Sequence, residues 1–226
     1  WGNKDMNVII QAGGLGSRLG KHTQNKPKCL VEFNGKTLLE RQLEVFKGKK
    51  IFVIGDYKFN VLKAYVETFF SDYQVTLVDA SAKKGTLAGL NKALSLIPAE
   101  ETITYVWSDL VFDRLIEHND SDMQVFTTSC FSCRYRLDDH LSVIKETSKE
   151  NGIIGAFTVR DKSILESVPD EGSFVGEWLK NNISSLNASQ TNISFVREVG
   201  EQVKLEKHNK KATSRFFNSV MIGHKT

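Results

Sequence analysis

Arg18 and Lys28 lie ten residues apart, just past a turn that contains Gly13, Gly14 and Gly16, and together they offer what a string of phosphates requires. Glycines permit positive φ and close backbone approach, and successive N–H groups in such a turn converge on an anion. The arginine adds a planar fork matched to phosphate oxygens, and the lysine a compact charge on a flexible stem. Asp109, at the end of the apolar run Ile103-Thr-Tyr-Val-Trp-Ser, supplies a carboxylate. Mg²⁺ takes one or two protein carboxylates and fills its octahedron with phosphate and water, so Asp109 suits such a cation; by position alone it suits a turn as readily.

Two commoner phosphate motifs are excluded. The dinucleotide fingerprint would start at Gly14 and Gly16 but meets Leu19 at its third glycine, and a Walker A pattern ending at Gly20-Lys21 would need glycine at Leu15 and Ser or Thr at His22. The five histidines are scattered and none sits in a nucleophile motif, which disfavours covalent catalysis. Cys29, Cys130 and Cys133 are an odd number and make no disulfide framework. Cys130-Phe-Ser-Cys133 lacks the second ligand pair of a zinc site and reads as packing.

The elements that must position these groups alternate strand and helix. Val8–Ile10 is an unbroken apolar strand feeding the glycine turn, and Cys29–Phe33 predicts a second. Asn34-Gly35 marks a turn, and Thr37-Leu-Leu-Glu40 is a capping box that opens a helix at Leu38, with Leu39, Leu43 and Phe46 inward and Gly48 as the stop. Ile51–Ile54 is a buried strand. Val61, Leu62, Tyr65, Val66 and Phe69 trace a helix, Gln74–Val78 a strand, and Leu87, Leu90, Leu94 and Ile97 a third helix. The strand at 103–109 is followed by an expected helix over Leu110–His118 and a strand over Met123–Thr128. Leu141–Glu146 and Ile153–Val159, joined by a polar turn, predict a hairpin, and Ser163–Val168 and Ser173–Leu179 predict helices. Non-alternating apolar strands separated by helices indicate an α/β layered fold on a mainly parallel sheet, with helices on both faces and a small inserted β hairpin region. In such sheets ligands bind at the carboxyl ends of strands, which puts the glycine turn and Asp109 on one edge.

The chain has 226 residues with 40% hydrophobic content, enough for one domain over 1–226. A formal charge of +3 is too small to argue for nucleic acid, and no apolar run reaches membrane-helix length, so neither nucleic-acid binding nor membrane insertion is expected and the natural reading is cytoplasmic. The patch Phe131, Arg134, Tyr135, Arg136 is explained as well by a solvated strand face as by stacking on bases. Asn182, Asn187 and Asn192 each open an Asn-x-Ser sequon and mark a polar surface loop. Lys204–Lys211 is a solvated basic run. Trp1 in place of an initiator points to a chain processed, tagged or cut from something longer, and a homo-oligomer or an additional fused domain is left open.

Ala12, Gly13, Gly14, Gly16, Ser17, Arg18 and Leu19, with Pro27 and Lys28 beyond, resemble the G-x-G-x-R…P-K signature of the nucleotidyltransferase superfamily that activates sugar 1-phosphates. The resemblance implies a Rossmann-like, GT-A-like catalytic domain with Ala12 to Ser17 on the nucleotide and Gly85 and Thr86 reading its base. It makes Asp109 the Mg²⁺ ligand, preceded here by Ser108 where relatives usually carry glycine; Asp113, four residues on, ranks second. It places Gly155 on the acceptor, with the inserted hairpin supplying the pocket, and Asn218 as the late residue that completes the metal site, where a buried turn asparagine is the competing reading. Glu177, in the helix expected over Ser173–Leu179, is a candidate contact to acceptor hydroxyls and reads more readily as part of a charged helix face. The implied chemistry is Mg²⁺-dependent transfer of a nucleotidyl group from a nucleoside triphosphate to a phosphorylated acceptor, first a sugar 1-phosphate, releasing pyrophosphate and serving capsule or lipopolysaccharide synthesis. The alternatives are a CTP-dependent cytidylyltransferase acting on a small non-sugar phosphate, and a nucleotide-binding regulatory module without turnover.

Overall fold

The computed structural model describes residues 6–200. Strand β1 (Met6–Gln11) runs into the glycine loop and a 3-10 segment over Ser17–Thr23. Cys29 and Leu30, expected to open a strand, lie instead in a single 3-10 turn over Lys28–Leu30, and the strand itself is only β2 (Glu32–Phe33), paired with β3 (Lys36–Thr37). Asn34 and Gly35 between them have φ of 51° and 79°, the two left-handed residues that a two-residue hairpin turn of matching twist demands. Helix α1 (Leu38–Val45) starts on Thr37, whose Oγ1 accepts the Glu40 N–H at 3.0 Å. Then come β4 (Lys50–Gly55), α2 (Phe59–Phe69), β5 (Val75–Asp79), α3 (Leu90–Ser95) and β6 (Thr102–Trp107).

β1 pairs in parallel with both β4 and β6, and β4 with β5, giving the order β5-β4-β1-β6. The chain first winds away from β1 on one side and then resumes on the other. Connections after β1 and β6 therefore part in opposite directions and open a crevice above the carboxyl ends of those strands, the place where open α/β sheets take ligands. Successive residues of β1 face opposite layers: Ile9 joins Phe52, Ile54, Leu87 and Leu90 on the α3 side, whereas Val8 and Ile10 join Leu39, Leu43 and Leu62 under α1 and α2. The inner face of α2 is narrower than its apolar residues suggest, for Leu62 and Val66 are buried while Val61 and Phe69 are exposed.

Beyond β6 the sheet is mixed, and here the expectations need correction. Leu110–Phe112 is not the start of a helix but strand β7, with all three side chains buried. Three consecutive apolar residues buried on every side suit a covered strand, and the cover is β13 (Val196–Glu198), which pairs with it antiparallel. The hairpin predicted between 141–146 and 153–159 does not form. β8 (Met123–Thr128) and β6 flank β11 (Gly152–Val159) antiparallel along its length, and β10 (Val143–Ile144) pairs instead with β9 (Arg136–Leu137). All eight residues of β11 are buried, which requires neighbours on both edges that a single hairpin partner cannot supply. Part of the sequon segment is likewise a strand, β12 (Ala188–Asn192), parallel to β8. Ser173 caps a π-helical turn over Phe174–Leu179. Among the described residues no helix is long and apolar enough to cross a membrane.

One buried side chain ties α1 to the turn after β6. Gln42, 1% exposed, donates from Nε2 to the carbonyls of Trp107 and Leu110, each at 2.8 Å, bracketing Asp109. Gln42→Leu strips both carbonyls of this donor while relieving the unpartnered Gln42 Oε1, and is expected to cost about 1–3 kcal/mol of stability. Denaturant unfolding at constant m-value measures it.

Candidate active site

The crevice between β1 and β6 deepens into a cavity of about 360 Å³ whose wall includes Gly13, Arg18, Lys28, Thr86, Asp109 and Gly155. Sequence reasoning had placed all six on the ligand. Lys28 Nζ is ion-paired with Asp109 Oδ2, the side chains being 16% and 9% exposed, so the two motif residues from separate halves of the sheet meet directly. Gly16 makes this possible. It sits at φ 62°, and a Cβ there would come 3.0 Å from both Lys28 Cβ and Thr23 Cγ2. Thr23 closes the loop, donating its hydroxyl to Gly16 O at 3.2 Å.

Gln11, which ends β1, is a functional residue that the sequence reading missed. It is 6% exposed and makes three contacts: Nε2 donates to Thr86 O at 2.9 Å and Ala88 O at 3.0 Å, and Oε1 accepts the Gly13 N–H at 3.2 Å. The glycine loop and the 86–88 segment are thereby held in one register. A polar residue closing the apolar run Val8–Ile10 was the available signal. The Gly14 N–H meets the carboxylate of Asp56, which burial and the charge of Asp79 hold above the usual carboxylate range while that N–H pulls it down. The loop thus already accepts one anion, but not with every amide free. Ala12 is buried beneath it, and Gly14, Gly16 and Ser17 lie along the loop outside the cavity wall.

On the opposite side Thr86 presents its side chain to the cavity, with Oγ1 accepting the Phe174 N–H at 2.8 Å and leaving the hydroxyl hydrogen to donate. Gly85 is neither a helix cap nor in the wall: α3 is capped at Gly89, and Gly85 packs so closely on Gly172 that a Cβ would come 2.1 Å from its carbonyl oxygen. Gly155 is in the wall, and the reason for glycine is Trp107, whose ring would lie 1.9 Å from an added Cβ. Glu177 is exposed on the outer side of the π-helical turn, against Gly172, while Ser173 and Val175 of the same segment face the cavity; its expected place on the acceptor is not supported. Asp113 is exposed and ion-paired with Arg197, away from the cavity wall. Asn218 and the basic run 204–211 lie outside the described residues.

A second carboxylate stands beside Asp109. A Cβ built on Gly200 would come 2.4 Å from Glu198 Oε1 and 3.2 Å from Asp109 Oδ2, so the two acidic groups flank a space that glycine keeps open. Only the pairing of β13 with β7 brings Glu198 there, next to Leu110, and no local motif announces it. Hard oxygen donors around a space of this kind fit Mg²⁺. Cys133 is buried and Cys130 exposed, and neither is in a disulfide.

Parts of the sequence, and the fold, recur in known proteins. A stretch of 67 residues is 40% identical to the CTP:phosphoglutamine cytidylyltransferase of Campylobacter jejuni, covering 28% of this chain and 26% of that one. A stretch of 133 residues is 31% identical to the glucose-1-phosphate cytidylyltransferase of Salmonella typhimurium, covering 48% and 52%. The chain thus spans between a quarter and about half the length of these curated relatives. Its fold matches the crystal structure of HddC from Yersinia pseudotuberculosis with a TM-score of 0.72 at 21% identity, over 91% of this chain and 98% of that one. The profile of the MobA-like NTP transferase domain covers residues 8–128, just over half of the sequence and the whole span from β1 through the glycine loop, Lys28 and Asp109 to the end of β8, and the chain belongs to that family.

Proposed function

We propose that this protein transfers a nucleotidyl group from a nucleoside triphosphate to a phosphorylated small molecule, releasing pyrophosphate. The observation that carries this reading is the meeting of Lys28 and Asp109 across the crevice, with Arg18 in the same wall. The acceptor's phosphate, with a second pKa near 6, is largely ionised at neutral pH. An acceptor oxygen forms the new bond to the α-phosphorus, the bond from that phosphorus to the β-phosphate oxygen breaks, and pyrophosphate leaves with its electron pair. No general base is needed. The obstacle is repulsion between two anions, and the protein's part is alignment and charge compensation. Arg18 grips oxygens of the departing phosphates, and Lys28, reaching from beyond the loop, lies where attacking and attacked phosphates meet. Asp109 and Glu198 would hold Mg²⁺, which supplies further neutralisation of the triphosphate. Thr86 is suited to read an edge of the base with its free hydroxyl hydrogen.

Both curated relatives described above are named for cytidylyl transfer, which favours CTP as donor; their acceptors, phosphoglutamine and glucose 1-phosphate, are of two classes. A sugar 1-phosphate destined for surface polysaccharide and a small non-sugar phosphate are therefore both consistent with the site. Pyrophosphate release from the four common triphosphates against a panel of phosphate esters tests the reading, and no release with any pair would return the chain to a binding role.

Three substitutions examine the parts. Lys28→Ala is expected to lower kcat by roughly a hundredfold or more, a loss on the order of 3 kcal/mol as for removal of one electrostatic stabiliser, and an unaltered kcat would take the lysine out of the mechanism. Asp109→Asn and Glu198→Gln should each raise the Mg²⁺ concentration needed for half-maximal rate, whereas Asp113→Asn, on the surface ion pair with Arg197, should not. A metal titration of the three variants at matched thermal stability distinguishes them. Thr86→Ala should change the ranking of the triphosphates, and Thr86→Ser, which retains the hydroxyl, should restore it. A ranking indifferent to both would leave Thr86 as the acceptor of the Phe174 N–H alone.

A further inference from the structure

Charge is unevenly placed around the cavity. Arg18, Lys28, Asp109 and Glu198 gather at the crevice, while Arg134, in the loop after β8, is the charged side chain of the far wall. The other described arginines are engaged. Arg41 donates to backbone carbonyls, Arg136, Arg160 and Arg197 hold carboxylates, Arg114 lies over the Phe195 ring, and Arg18 also has a partner. Arg134 has none among the described residues.

Arg134 lies at the far end of that loop from β8: the next residue, Tyr135, accepts the Ile153 N–H with its carbonyl at 2.8 Å, so Arg134 stands beside the start of β11, the second strand from β1 through β6, on the wall that Ile153 and Gly155 also line. In the same wall Phe131 and Tyr135, both half-buried, offer apolar cover.

Resting on the proposed nucleotidyl transfer, we propose that Arg134 receives a second anionic group of the acceptor, a carboxylate or a further phosphate carried at the end opposite the attacking phosphate, with Phe131 and Tyr135 against the body between. An unpaired guanidinium is a two-pronged receptor for such a group. The same charge opposes an acceptor that ends in a quaternary ammonium, which aromatic walls alone would favour. The site is thereby built for an acidic acceptor and against a cationic one.

The test measures binding by calorimetry on the full chain in the presence of a non-hydrolysable triphosphate, so that its result is independent of turnover. Two pairs of probes differ only in the distal group: glucose 1-phosphate with glucuronic acid 1-phosphate, and propyl phosphate with 3-phosphooxypropanoate. The wild type is expected to bind the acidic member of at least one pair tenfold or more tightly than the neutral one, and choline phosphate more weakly than propyl phosphate. Arg134→Ala should abolish the tenfold preference while leaving the neutral probe within twofold, and Arg134→Lys should retain part of it. An equal loss for both members would assign Arg134 to the attacking phosphate and overturn the proposal. So would equal binding of both pairs, or no binding, by the wild type. Pyrophosphate release with the same probes separates the two readings: turnover without charge preference defeats the role of Arg134 alone, whereas an Arg134-dependent preference without turnover defeats nucleotidyl transfer and leaves the anion receptor standing.

Discussion

The ion pair between Lys28 and Asp109 is the constraint around which the rest is arranged. Both groups are largely removed from water, where an isolated charge costs several kcal/mol, and each offsets much of the other's desolvation. Such a pair is a weak source of stability when set against apolar packing. Under the proposed function its use lies in keeping two opposite charges desolvated and aimed at one spot, where either would exchange its partner for a phosphate or a cation without having to be dehydrated first. That spot is the reversal of strand order, so the two residues can come from motifs 81 positions apart and still meet.

Holding the pair in place falls to uncharged amides behind it. Gln11 fastens the loop that leads to Lys28 by accepting the Gly13 N–H while it donates to the carbonyls of Thr86 and Ala88, and Gln42 fastens the turn that carries Asp109 by donating to the carbonyls of Trp107 and Leu110. Backbone acceptors leave little rotational freedom, and buried amides lose heavily if their partners shift. The supports come from β1 and from α1, so the sheet and one of its covering helices both contribute to the rigidity of the crevice.

How much of this could be read from the sequence depends on how local the cause was. The strand from Val8, the cap at Thr37 and the glycine loop are set by neighbouring residues, and they stand where periodicity and turn chemistry put them. Lys28 and Asp109 were legible because each sits at a strand or motif end on one sheet edge. The larger errors of topology fall after β6, where pairing is made between distant segments. Leu110–Phe112 reads equally as a helical or a stranded apolar run until β13 is known to cover it, and β11 reads as a hairpin arm until β6 and β8 are known to flank it. Glu198 was invisible for the same reason. Glu177 is exposed, as the charged-face reading of Ser173–Leu179 has it, although that segment is a π-helical turn and not the expected helix.

Trp107 and Gly155 occupy adjoining strands and share a single volume, since the indole fills the space a side chain at 155 would need. Neither position is free to vary alone. A smaller residue at 107 traded for a larger one at 155 would conserve that volume while moving the bulk of the wall from β6 to β11. Paired exchange of this kind would change the outline of the cavity while leaving the ion pair of Lys28 and Asp109 in place.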